Sequence, residues 1–121
     1  MARVLIIEDE PPVLRLLERI LANQGHESVA VADGEAGEVA WSSGGIDLVL
    51  LDAMLPGVDG LTLSRRMRER GDRTPVILVT AREGEPLRKL ASQVGVDAYL
   101  AKPFGHDELV SLLDRFLGSH M

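Results

Sequence analysis

The 121-residue sequence contains no cysteine, which removes disulfides, thiolate metal sites and thiol catalysis together. It has no apolar stretch near the roughly 20 residues that span a bilayer. Met1-Ala2-Arg3 enters the first apolar run with no hydrophobic signal segment, so an unanchored cytoplasmic protein is expected. Basic charge is scarce as well. Thirteen Lys and Arg stand against 19 Asp and Glu, a net charge of -6, which argues against a general nucleic-acid binder, because displacing counterions from phosphates takes an excess of positive charge. Internal repeats, low-complexity tracts, Gly-rich dinucleotide fingerprints and P-loops are all missing.

What is there is an ordinary globular composition, 45% hydrophobic and 26% charged, in a chain the length of one domain. The domain is expected over residues 1–117. The last four residues, Gly118-Ser119-His120-Met121, resemble an expression-vector remnant and are set aside. Four short apolar runs stand out. Val4-Leu5-Ile6-Ile7 leads to Glu8-Asp9, Leu48-Val49-Leu50-Leu51 to Asp52, Val76-Ile77-Leu78-Val79 to Thr80, and Ala98-Tyr99-Leu100-Ala101 to Lys102-Pro103.

Between the runs the periodicity is helical. Val13, Leu17, Ile20 and Leu21 form one stripe, Leu87, Leu90, Ala91 and Val94 another, and Leu109, Leu112, Leu113 and Phe116 a third, each near i, i+3, i+4, i+7 spacing. Segments 33–43 and 60–70 carry shorter stripes. Gly25, Gly44-Gly45, Gly71 and Gly95 mark helix ends, while Pro11-Pro12 and Pro86 mark helix starts. With a second, edge strand at 26–31, five strands and five helices alternate, which predicts an α/β fold with a doubly wound parallel sheet.

In such sheets ligands bind outside the carboxyl ends of the strands, so the residues after the four runs are expected to share one rim. Three carboxylates crowded together call for a cation, and hard oxygen ligands suit Mg²⁺. Asp52, after a central strand, is placed to attack phosphorus as a nucleophile. Lys102 and Thr80 would supply the charge and the hydroxyl that a phosphoryl group needs. Each residue also has a plainer alternative: Glu8-Asp9 as a helix cap, Asp52 as a turn residue before Pro56-Gly57, Thr80 as a strand end, Lys102 as a loop lysine. Their joint occurrence favours the shared site. Trp41 is expected in helix packing, Arg65, Arg66, Arg68, Arg70 and Arg73 on a solvated face, and His26, His106 and His120 have no metal-ligand spacing.

The acidic pair Glu8-Asp9, the block Leu50-Leu51-Asp52-Ala53-Met54-Leu55-Pro56-Gly57-Val58-Asp59-Gly60, the pair Thr80-Ala81 and the stretch Tyr99-Leu100-Ala101-Lys102-Pro103-Phe104 resemble, in order and spacing, the receiver domain of two-component response regulators, the chemotaxis regulator type included. The resemblance runs from Arg3 to about Leu117. It implies the flavodoxin-like strand order 2-1-3-4-5, and phosphorylation of Asp52 by a sensor histidine kinase or histidine phosphotransfer protein. It further implies Mg²⁺ on Asp9, Asp52 and the Met54 carbonyl, with Glu8 acting through water, and Lys102 bridging Asp52 or its phosphoryl group across a cis Lys102-Pro103 bond. Thr80 and Tyr99 would be the switch residues that reshape the face of the fourth helix, fifth strand and fifth helix. Met54 and Arg82 occupy positions that govern phosphoryl lifetime, here expected to be long.

Competing functions are less well supplied. A phosphatase with an aspartate nucleophile needs a second aspartate two residues on, where this chain has Met54. A flavin carrier's phosphate loop would be repelled by Glu8-Asp9-Glu10. A non-phosphorylated pseudo-receiver, a protein-binding module only, would be expected to lack one of Asp9, Asp52, Thr80 or Lys102, and all are present. Ala98 and Leu112 replace the charged residues of the usual receiver dimer face, so a monomer before phosphorylation is expected, with no direct nucleic-acid or membrane partner and an effector that is not specified.

Overall fold

The computed structural model describes residues 1–81 and 84–118, with Glu85 by its backbone alone. Arg82 and the terminal Ser119-His120-Met121, singled out above, lie outside the described residues. The order along the chain is β1 (Arg3–Ile7), α1 (Pro11–Asn23), β2 (Glu27–Val31), α2 (Gly34–Ser42), β3 (Leu48–Leu51), α3 (Gly60–Glu69), β4 (Val76–Thr80), α4 (Glu85–Gln93), β5 (Ala98–Ala101) and α5 (His106–Leu117). All strand pairs are parallel, in the order β2-β1-β3-β4-β5. Parallel neighbours need crossover connections, and the helices supply them.

The strands are apolar at nearly every position because both sheet faces are covered. Alternate residues go to opposite sides. Val4, Ile6, Leu48, Leu50, Ile77, Val79 and Leu100 meet Leu17, Ile20 and Leu21 of α1 and Leu109 and Leu113 of α5. Leu5, Ile7, Val49, Leu51, Val76 and Leu78 meet Trp41 of α2, Leu63 and Met67 of α3 and Ala91 of α4. Each fully buried Leu or Ile contributes on the order of 1.5–3 kcal/mol, so the two half-cores hold the rim rigid.

Local signals place the helix ends. Asp33 accepts from the Ala36 N–H (2.8 Å) and Asp59 from the Thr62 N–H (3.0 Å), each capping a helix start. The glycines that close the helices, Gly25 and Gly95 among them, take positive φ. Three expectations change. Leu90 is 46% exposed, because α4 buries Leu87 and Ala91 and the fourth stripe position, Val94, is already the helix C-cap. The second strand starts at Glu27, with His26 held at its entry by the Ala2 N–H. The arginine cluster is not uniformly solvated: Arg66 and Arg70 both pair with Glu38 of α2, and Arg68 donates to the Gly95 carbonyl and to Asp97. Arg68 is thereby a tie between α3 and the α4–β5 turn, helped by Ser64 Oγ donating to the Val94 carbonyl at 2.7 Å.

Candidate functional site

Strand register builds the site. Ile7 lies opposite Leu51, and Leu51 opposite Leu78, so Glu8 and Asp52 leave adjacent strand ends side by side. The Asp52 N–H donates to the Ile7 carbonyl (3.0 Å) and the Lys102 N–H to the Thr80 carbonyl (2.9 Å), which carries the ladder one step past each strand and fixes the direction of the next side chain. Glu8, Asp52 and Thr80 are buried at 1%, 4% and 1% exposure. Buried ionisable groups persist only where they are paired, and the pairing is visible.

Lys102 Nζ lies 2.8 Å from Glu8 Oε1, 3.1 Å from Asp52 Oδ2 and 3.7 Å from Glu10 Oε1. The Glu8 contact is an ion pair without hydrogen-bond alignment, while the Asp52 contact is an aligned hydrogen bond. Asp52 Oδ1 accepts the Met54 N–H at 3.0 Å, so its two oxygens face different neighbours. Burial pushes the Glu8 carboxyl up to about 7; Lys102 and the Glu10 N–H work against that rise and the Asp52 charge adds to it. Burial also depresses Lys102, but its pairing with Glu8 and Asp52 outweighs that and leaves its pKa raised. The ammonium therefore stays charged.

Glu10 belongs to this constellation although the sequence reading gave it no site role. Glu8, Glu10 and Asp52 can each bring an oxygen within 4.8 Å of the others. The signal was the third acid of the run Glu8-Asp9-Glu10. Glu10 is the N-cap residue of α1 but makes no side-chain cap bond, and Pro11 and Pro12 after it remove two of the N–H groups at the helix start. Its backbone N–H donates instead to Glu8 Oε2 at 3.1 Å, and its carboxylate turns toward Lys102. Three acids around one ammonium describe a cage for Lys102 first; a metal ion would have to share these oxygens or use the other side of Asp52.

After Asp52 in the chain, residues Ala53, Met54, Leu55 and Pro56 line, with Asp9 and Asp59, a cleft of about 570 Å³. Asp9 is exposed there, apart from the Lys102 cage, and Met54 is 59% exposed. The loop approaches closely because glycines allow it. A Cβ on Gly60 would stand 2.1 Å from the Asp52 carbonyl oxygen, and one on Gly34 would stand 1.9 Å from that of Val58. Tyr99 lies on β5, half-buried, opposite Leu78 and two positions before the end of the β4–β5 pairing, Thr80 with Ala101. The Lys102–Pro103 bond is cis.

Over residues 4–114 the sequence matches the response regulator receiver domain. The chain belongs to that family. It is 43% identical over 111 residues to the transcriptional regulatory protein TcrA of Mycobacterium tuberculosis, an alignment covering 92% of this chain and 44% of TcrA. Among solved structures, it resembles the receiver domain of the sensor histidine kinase PA1611 from Pseudomonas aeruginosa, with a TM-score of 0.87, 35% identity and 98% of each chain covered; that structure has a magnesium ion coordinated in its active-site cleft. It also resembles the BeF3-activated N-terminal receiver domain of Klebsiella pneumoniae RstA, with a TM-score of 0.89, 30% identity and coverage of 95% and 97%. The chain spans about half the length of the curated relatives it matches. Receiver domains are signalling modules of two-component systems that work with histidine kinases and effector domains. No helix among the described residues is long and apolar enough to cross a membrane.

Proposed function

We propose that this receiver accepts a phosphoryl group on Asp52 from a histidine kinase or histidine phosphotransfer protein, and that the modification reshapes the face of α4, β5 and α5. The observation that carries the reading is the contact of the buried Asp52 carboxylate with the Lys102 ammonium at 3.1 Å. A carboxylate oxygen attacks phosphorus, the O–P bond forms as the donor's N–P bond breaks, and the imidazole departs. Lys102 follows the charge from the carboxylate to the phosphoryl oxygens, and the Thr80 hydroxyl, at the end of β4, turns to another of them. Tyr99, whose hydroxyl is already buried, settles into the space Thr80 leaves, which converts a local charge of about -1.5 to -2 into a surface change.

Hard oxygen donors fit Mg²⁺: the exposed Asp9 carboxylate, the buried Asp52 carboxylate and the Met54 carbonyl, with Glu8 acting through water. When bound, the ion would neutralise charge developing on the transferring group. The cage acids Glu8 and Glu10 add negative potential that favours any cation at this rim. Met54 offers no hydrogen bond to an attacking water, so the phosphoryl group is expected to be long-lived.

The reading places the protein in the cytoplasm, as a monomer before phosphorylation, since Ala98 and Leu112 bring no charges to the α4-β5-α5 face. Light scattering checks the monomer, and a stable dimer of the unmodified protein contradicts it. Phosphorylation itself is tested by incubation with a small phosphodonor, with and without Mg²⁺, followed by intact mass and hydroxylamine treatment. A Mg²⁺-dependent, hydroxylamine-labile adduct is expected; the absence of any adduct leaves only the protein-binding pseudo-receiver.

A further inference from the structure

Glu10 is the acid of the Lys102 cage with the least to do at rest. Its carboxylate stands 3.7 Å from Lys102 Nζ, outside hydrogen-bond reach, while Glu8 and Asp52 hold the same ammonium at 2.8 and 3.1 Å. It caps no helix N–H, and its own N–H serves Glu8. The side chain is 57% exposed, yet one of its oxygens lies within 4.8 Å of an Asp52 oxygen. Beside it opens a cavity of about 340 Å³ bordered by Glu10, Val13, Leu16, Lys102, Pro103 and Phe104. The Lys102 ammonium is drawn toward Glu8 and Asp52, so apolar walls and an unused carboxylate face the space. A flat ring carrying a proton suits both.

We infer that Glu10 recognises the phosphodonor: its carboxylate accepts a hydrogen bond from the free ring N–H of a phosphorylated imidazole and so favours phosphohistidine over donors without that group. The inference rests on the reading of Asp52 as the phosphoacceptor. In a phosphoimidazole one ring nitrogen is bonded to phosphorus and the protonated form carries N–H on the other, which makes the ring cationic. As the Asp52 oxygen forms its bond to phosphorus, the N–P electron pair passes to the first nitrogen, and the ring departs as neutral imidazole with its proton still on the second. In-line departure carries the ring outward from the buried Asp52, toward the exposed carboxylate of Glu10. A charge-assisted hydrogen bond is stronger than a neutral one, and exposure trims the effect to about three- to tenfold in rate. Acetyl phosphate offers no N–H and leaves as acetate, which a carboxylate repels. Repulsion of the phosphoryl oxygens by Glu10, and its attraction for Mg²⁺, act on both donors alike and cancel in the ratio of their rates.

The test compares phosphoimidazole with acetyl phosphate at saturating Mg²⁺, on wild type, Glu10→Gln and Glu10→Ala, with phosphoryl uptake followed by intact mass. Second-order rate constants for phosphoimidazole are expected to fall about three- to tenfold relative to those for acetyl phosphate in both variants. The loss should shrink as pH rises and the donor ring loses its proton, a dependence that a merely structural role would not produce. The acetyl phosphate rate shows in the same samples that the fold and Asp52 are intact. A ratio of rates equal to that of wild type, whether both rates fall or neither does, overturns the role of Glu10. A wild type that takes a phosphoryl group from neither donor overturns the Asp52 reading, and the role of Glu10 with it.

Discussion

Asp52 and Lys102, 50 residues apart in the chain, meet at 3.1 Å across the ends of β3 and β5. Between those strands lies β4, so the contact exists only because all the central strands stop at one level. The carboxylate is 5% exposed and the lysine side chain 10%, which makes this a desolvated pair with Glu8 as a third member.

Removing the cation leaves two buried carboxylates facing each other. Lys102→Met is expected to destabilise the metal-free protein by about 3 kcal/mol at pH 8. The deficit should shrink below pH 6, where Glu8 takes up a proton. Urea denaturation of both proteins at the two pH values checks this, and a deficit independent of pH counts against the cage.

Glu8 gives the wild type its own pH dependence. Its folded-state pKa of about 7 lies above the ordinary value of 4.5, so between these values the folded state binds more protons than the unfolded state. Stability must then fall as pH rises from about 4.5 to 7, by up to about 3 kcal/mol, and level off above. Glu8→Gln should flatten that slope. Denaturation midpoints in chelator across the window measure it, and stability rising with pH in wild type contradicts the buried position of the acid.

The loop behind Asp52 depends on glycine for space. Gly60→Ala puts a methyl group 2.1 Å from the Asp52 carbonyl oxygen, so the backbone must shift, at about 2 kcal/mol or more. Gly44→Ala meets open space and costs only its positive φ, about 1 kcal/mol. The two variants should therefore separate in thermal melting, and Gly60→Ala alone should slow phosphoryl uptake.

Met54 stands at the mouth of the cleft, 59% exposed. Met54→Asn adds a group that can orient water, so hydrolysis of the aspartyl phosphate should accelerate severalfold. Loss of adduct mass with time measures the rate, and equal rates show that the side chain does not meet the attacking water.

Much of the fold was legible because both faces of the sheet are covered. Runs such as Val4-Leu5-Ile6-Ile7 are then apolar throughout, and Glu8, Asp52, Thr80 and Lys102 mark where each run meets the rim. Contacts set by loops and long side chains were not legible. Glu10 joins the Lys102 cage through the bend that lets its N–H reach Glu8. Arg68 ties α3 to the α4–β5 turn through carbonyls, which no side-chain pattern announces. Leu90 fits the α4 stripe but faces solvent, since a short helix buries a narrower strip than its periodicity suggests.

The proposed switch acts through a phosphoryl group on Asp52. Intact mass after incubation with Mg²⁺ and a small phosphodonor tests it most directly, with wild type and Asp52→Asn treated side by side. A single phosphoryl adduct on wild type and none on Asp52→Asn is the predicted result. An equal adduct on both, or none on wild type, would contradict it.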